Sequence, residues 1–203
     1  MMSFSPPRLS AAALCSAVVL SGCANVAGPH VGGNVQYGDA RAVETVTNEF
    51  GSTDLQTIAE SMTRSLLQSR AITGARETPI VALAEVKNKT SEYIDTRAIT
   101  EKIRVQLTKS GAVKFAVSTN EMQNQLDELT RQNQTGLYKN KGKARIGQMQ
   151  GSRYRLEGSI SSIVKRSSST KDVFYLFNLS LVDNESGLLE WADEKEIRKT
   201  SAR

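Results

Sequence analysis

The stretch PIVALAEVKNKTSEYIDTRAITEKIRVQLTKSGAVKFAV, residues 79–117, decides the fold. Pro79 closes what precedes it. Ile80-Val81-Ala82-Leu83-Ala84-Glu85-Val86 is then an almost unbroken apolar run, the mark of a strand buried on both faces. Lys87-Asn88-Lys89-Thr90-Ser91 reads as a polar turn. Asp95 offers a carboxylate to the free amides of a helix start, and Ile99, Ile103 and Leu107 recur at helical spacing. Gly111 stands where a left-handed C-terminal cap is wanted. Val113-Lys114-Phe115-Ala116-Val117 supplies a second strand, and strand–helix–strand predicts a βαβ unit with parallel strands.

Outward from this unit the periodicities continue. Upstream, Asp54 caps a helix whose apolar stripe is Leu55, Ile58, Ala59, Met62, Leu66 and Leu67. Downstream, Ser118-Thr119-Asn120-Glu121 spells a capping box for a helix through Met122, Leu126 and Leu129. Residues 135–151 are polar and basic, with a short helix expected around Ile146 and Met149. Alternation then takes over in Tyr154–Ile160 and Val173–Leu181, with Val173, Tyr175, Phe177, Leu179 and Leu181 on the inward side. Ser167-Ser168-Ser169 and Asn184-Glu185-Ser186-Gly187 are turns, and Trp191 lies in the last strand, which makes an antiparallel meander. The expected fold class is α+β, a small mixed sheet with helices packed on it.

The N-terminus is an address. One cation, Arg8, precedes the apolar run Leu9–Leu20, too short for a membrane span and shaped like a secretory signal. It ends in Leu20-Ser21-Gly22-Cys23, which resembles the bacterial lipobox: cleavage before Cys23 and acylation of its thiol and new amine are expected. Three acyl chains hold far more firmly than one. Ala24 follows where an aspartate would resemble an inner-membrane retention signal, which points to the periplasmic side of the outer membrane. The expected divisions are therefore 1–22 signal peptide, 23–51 lipidated anchor and flexible linker, 52–198 folded domain and 199–203 tail. The linker is glycine-rich with one proline, Pro29, and Ala42–Thr47 reads as extended chain.

Composition narrows the function. Of two cysteines, Cys15 leaves with the signal and Cys23 is lipidated, so no disulfide is expected. Without Arg8 the chain keeps 25 basic against 21 acidic residues, a mild bias, and an exported protein seldom meets nucleic acid. The one histidine, His30, falls in the linker, leaving the domain no imidazole base and no soft metal ligand. Asp127 and Glu128 are adjacent on a helix and do not face each other, and Glu190, Asp193, Glu194 and Glu196 read as a solvated strand. A non-enzymatic binding module without cofactor, metal or small-molecule substrate, and monomeric, is the expectation. Two surfaces are candidates for its partner: Lys87, Asn88, Lys89 and Thr90 at the carboxyl end of the central strand, where open α/β sheets commonly bind, and the basic run Lys139–Arg145.

The lipobox, the tether, the helix after it, residues 81–117, "QGSRYRLEGSISS" (150–162) and "ESGLLEW" (185–191) together resemble the LpoB family, outer-membrane lipoprotein activators of penicillin-binding proteins. The resemblance spans roughly residues 50–195. It implies a fold like the N-terminal domain of TolB. It also implies a non-catalytic activator that docks on a bifunctional peptidoglycan synthase and stimulates glycan polymerisation and cross-linking. The residues alone leave a second reading open, an outer-membrane assembly or structural lipoprotein that binds glycan or another outer-membrane protein. They leave a third as well, a carboxylate-based cell-wall hydrolase.

Overall fold

A central strand, β1 (Ile80–Lys89), carries the apolar run and then continues through the lysines instead of turning at Lys87. The computed structural model describes residues 38–202, with the chain from Arg41 onward in one compact unit. Leu20, Ser21, Gly22 and Cys23 lie outside the described residues.

The remaining elements follow in order: α1 (Ser52–Gln68), α2 (Arg70–Thr73), α3 (Thr96–Ser110), β2 (Lys114–Phe115), α4 (Thr119–Gln134), β3 (Tyr154–Arg166), β4 (Thr170–Asp183) and β5 (Leu189–Ala202). One five-stranded sheet runs β2-β1-β3-β4-β5. β1 is parallel to β2 and to β3, while β3, β4 and β5 form the antiparallel meander. The mixed α+β sheet with a βαβ unit is therefore as the sequence predicts.

The helix ends obey local chemistry. Asp95 Oδ1 accepts from the amides of Arg97 (3.0 Å) and Ala98 (3.2 Å). Gly111 closes α3 at φ 72°, a conformation that costs a residue with a Cβ. Ser118 and Glu121 exchange bonds with each other's backbone amides at the start of α4. Asp54 departs from expectation: it sits in the first turn of α1 and accepts from the Gly51 amide at 2.8 Å, so Gly51 occupies the cap position.

α1 and α3 pack together on one face of the sheet. Ile58, Met62 and Leu66 of α1, Ile99, Ile103 and Leu107 of α3, and Tyr175, Phe177, Leu179 and Leu181 of β4 are all buried in that layer. Burying each such aliphatic or Phe side chain is worth ~1.5–3 kcal/mol, so this layer supplies the fold's driving force. At Gly158 a Cβ would lie 2.1 Å from the Asn178 carbonyl oxygen, so β3 and β4 approach too closely there for any larger residue. The β1 register slips between Leu83 and Val86, a bulge beside Gly158.

Four further expectations are corrected. The second strand of the βαβ unit shrinks to Lys114–Phe115. No helix forms around Ile146 and Met149; the segment holds one 3₁₀ turn, Asn140–Gly142. α4 leaves Met122 and Leu126 exposed and buries only Leu129. Residues 199–202, expected as tail, belong to β5, where Lys199 pairs with Asp54 at 2.5 Å. The linker side is also fastened. Asn48 Nδ2 donates to the Lys171 carbonyl (2.8 Å), and the Glu44 carboxylate accepts from Ser52 Oγ (2.9 Å).

Candidate functional site

The structure divides the four residues at the carboxyl end of β1 into two pairs. Lys87 stands opposite Ser159 and Lys89 opposite Ser161. Leu156 and Ile160 of β3 point into the core, so Ser159 and Ser161, offset by one residue, face the other way. Both lysines therefore lie on the sheet face turned away from α1 and α3. β2 pairs only with Ile80 and Val81, so at the lysines β1 is the edge of the sheet, and solvent on that face and along that edge lets it carry them.

Following the register across the sheet, Lys87 heads the row Ser159–Asn178–Glu194, and Lys89 heads Ser161–Leu176–Glu196. Three strand spacings place the lysines roughly 14 Å from the two glutamates. The face is thus cationic at β1 and anionic at β5, with the half-buried Phe174 and Leu176 between. Ser159 and Asn178 are joined at its centre, where the Ser159 amide donates to Asn178 Oδ1 at 3.1 Å.

Asn88 and Thr90 have a different task. Asn88 Oδ1 accepts from the Thr90 amide at 2.9 Å, and its Nδ2 donates to the Glu92 carbonyl at 2.9 Å. The Thr90 hydroxyl lies 2.8 Å from Asn88 Oδ1 and 2.9 Å from the Glu92 carbonyl, and its single proton serves one of them. The Asn-x-Thr spacing therefore builds the loop that follows β1 and leaves little capacity for a partner. This loop aims Glu92 inward at the Tyr175 phenol, which also lies 2.9 Å from the Asn48 carbonyl. Burial, then the Glu92 carboxylate, push the Tyr175 hydroxyl well above its ordinary value, so it stays a proton donor. Phe50 packs edge-on to the same ring at 5.9 Å. The chain before α1, the loop after β1 and the sheet are thereby tied at one point.

Beside the loop lies a groove of about 640 Å³, lined by Leu83, Asn88, Tyr93, Arg97, Arg104 and Glu121 among others. It exists because β2 ends so early: the Ala116 amide bonds the Val81 carbonyl at 2.9 Å, and the chain then departs into α4. Tyr93 stands at its rim, 91% exposed. The charges inside are largely engaged, with Arg104 holding Glu101 at 2.6 Å and lying 3.9 Å from Glu121. Hydrogen bonding to Ser118, backbone amide before hydroxyl, holds the Glu121 carboxyl below its ordinary value. Among the described residues no group of three or more His, Cys, Asp or Glu is placed to hold a metal, and no helix is long and apolar enough to cross a membrane. What the region offers is charge, hydrogen bonds and an exposed aromatic ring, which suit recognition. The basic run Lys139–Arg145 is on a separate loop after α4.

Three contributors were not singled out from the sequence: Tyr93, the Tyr175–Glu92 contact and the Lys199–Asp54 pair. The last was within reach, since Lys199 is eight residues beyond Trp191 and shares its face in a strand of period two.

A model of the peptidoglycan-synthase activator LpoB matches residues 54–197. The chain belongs to the LpoB family. The matched span takes in β1 to β4 whole and ends inside β5. Among solved structures, the LpoB C-terminal domain from Salmonella enterica aligns at 16% identity and TM-score 0.42, covering 71% of this chain and 98% of that one. The corresponding Escherichia coli domain gives 15% and 0.42 with the same coverage. A lipoprotein from Neisseria meningitidis gives 13% and 0.39, covering 61% of this chain and 84% of that one. No curated protein sequence matches.

Proposed function

We propose that this LpoB-family chain is a lipid-anchored, non-catalytic activator of a bifunctional penicillin-binding protein, held at Cys23 in the outer membrane and facing the periplasm. The observation that carries the reading is the family match over residues 54–197, which takes in the sheet, the helices and the loop after β1. The partner meets the open sheet face at its β1 edge, where Lys87 and Lys89 present charge two strands from half-buried Leu176 on β4, with the hydrogen-bonded Asn88–Glu92 loop and Tyr93 alongside. An activator needs no reacting group. It needs a preformed surface that binds one state of the synthase more tightly than another. The bonds of Asn88 and Thr90 hold that surface in shape before the partner arrives, which lowers the ordering cost of docking.

Tethering is the other half of the proposal. From Cys23 to Gly51 the chain is 29 residues, at most ~95 Å when fully stretched at ~3.3 Å per residue. The Glu44 carboxylate already bonds Ser52 Oγ at the start of α1, and the 21 residues from Cys23 to Val43 span at most ~70 Å when fully stretched. The test is capture of the synthase from detergent-solubilised membranes by the full chain. Recovery of a bifunctional penicillin-binding protein that falls with Lys87→Glu/Lys89→Glu supports the proposal. Recovery of glycan alone would favour an envelope structural role. Labelling with a clickable palmitate, lost in Cys23→Ala, tests the anchor.

A further inference from the structure

The longest acid-free window of the folded chain runs from Leu129 to Leu156 and contains seven cations. Three of them are engaged: Arg131 with Glu128, Arg153 with Asp183 and Arg155 with Glu157. The other four, Lys139, Lys141, Lys143 and Arg145, form no ion pair among the described residues. They occupy a loop whose large apolar side chains also face solvent: Leu137 is 79%, Ile146 67% and Met149 50% exposed.

This loop is held in shape. Tyr138 lies under the Arg131 guanidinium, 5.4 Å from it, and α4 grips the far limb at Ala144. The Gln132 side chain accepts from the Ala144 amide at 2.7 Å, and the Asn133 side chain donates to the Ala144 carbonyl at 3.0 Å. The 3₁₀ turn Asn140–Gly142 sits between these two fastenings. The consequence is a presented surface in which four cations lie between apolar tips, Leu137 before them and Ile146 and Met149 after, with no acidic side chain paired to them among the described residues. A soluble acidic partner accounts for the cations but leaves Leu137, Ile146 and Met149 without a role. An anionic bilayer surface takes both, since headgroup phosphates meet the lysines and the apolar tips enter the acyl boundary.

We propose that residues 137–149 form an interfacial contact for anionic phospholipid, separate from the β1 edge. The inference rests on the loop alone and does not depend on the synthase reading. It orients the domain on a membrane surface and leaves Lys87, Lys89 and the sheet to another partner.

The test uses the full chain carrying Leu137→Trp, mixed with vesicles of phosphatidylcholine alone or with about one third phosphatidylglycerol, each doped with bromine-labelled lipid. The readout is local, so attachment through the N-terminal segment does not register. The unsubstituted chain, with Trp191 alone, supplies the background. Bromine quenching of the added tryptophan is expected in anionic vesicles and not in neutral ones. It is expected to fade at high salt and to fall at least tenfold with Lys139→Glu/Lys141→Glu, since each cation near an anionic leaflet strengthens partitioning about fivefold. Lys143→Glu/Arg145→Glu is the second variant, and circular dichroism checks that both remain folded. Absent quenching, or equal quenching in the two vesicle types, overturns the inference. A shift of the added tryptophan with soluble polyglutamate but not with vesicles also overturns it, and assigns the loop to an acidic protein.

Discussion

Replacing Lys199 by methionine probes how the last strand is fixed. Lys199 Nζ lies 2.5 Å from Asp54 Oδ2 and 2.6 Å from the Glu49 carbonyl, and the side chains of the pair are only 11% and 9% exposed. Methionine keeps the aliphatic stem beside Val173 and deletes only the ammonium. Breaking a buried pair from one side costs ~3–5 kcal/mol, because the orphaned carboxylate stays desolvated. Asp54 retains the Gly51 amide at 2.8 Å, which places the expected loss at the lower end, about 3 kcal/mol. With a urea slope of ~2 kcal/mol/M, that is a midpoint lower by ~1.5 M. The matched control is Arg198→Ala. Arg198 points to the opposite face and pairs with Asp172 in the open, so its loss is expected to leave the midpoint almost where it was. Urea titrations followed by circular dichroism read both. If Lys199→Met moves the midpoint no more than Arg198→Ala, residues 199–202 are a frayed tail and the pair contributes nothing.

Three other outcomes follow from the same geometry. Tyr175→Phe removes the hydroxyl between Glu92 and the Asn48 carbonyl, and is expected to cost ~1–2 kcal/mol and to speed amide hydrogen exchange in 44–50 and 88–94 together. Exchange rising in only one segment would show that the phenol does not join them. Acid should destabilise the domain: the Ser186 and Glu185 amides hold Asp183 below its ordinary 3.8, and Ser118 holds Glu121 below 4.5. Because these folded-state values are depressed, their stabilisation is complete above the ordinary values and is lost as pH falls through the folded ones. Melting temperatures flat from pH 5 down to pH 3 would contradict this. Lys87→Glu/Lys89→Glu is expected to weaken synthase binding and flatten its salt dependence without changing the melting temperature, whereas Asn88→Ala, which unpicks the loop, should lower both.

Much of the architecture was legible because it rests on local rules. The Asp95 carboxylate, the spacing of Ile99, Ile103 and Leu107, and Gly111 mark out α3 with no tertiary information. The alternation Val173 to Leu181 gives the inward face of β4 directly. The departures share a physical cause. Lys87-Asn88-Lys89 resembles a turn because turns are polar, but a sheet with one solvated face also tolerates lysines in a strand. β2 is short for a tertiary reason: the chain leaves after Ala116 to start α4 at the Ser118 cap. Lys199 looked like tail because a terminal lysine is usually solvated, and only its register opposite Val173 places it against Asp54.

At the candidate site, residue types were legible and roles were not. Lys-Asn-Lys-Thr marks a place where the chain does something specific. Only the hydrogen bonds show that Asn88 and Thr90 shape the loop while Lys87 and Lys89 face outward. The Tyr175–Glu92 contact joins positions 83 residues apart, a separation that no local pattern reports.

The proposed activity is stimulation of a peptidoglycan synthase by a protein that performs no chemistry itself. Its most direct measurement is the rate of glycan-strand polymerisation from lipid-linked precursor by a purified bifunctional penicillin-binding protein of the same bacterium, with and without this chain. No polymer is expected from the chain alone, with a several-fold faster rate when it is added to the synthase and loss of that gain with Lys87→Glu/Lys89→Glu. An unchanged synthase rate at concentrations where the two proteins bind would contradict it, as would polymer or glycan cleavage products made by the chain on its own.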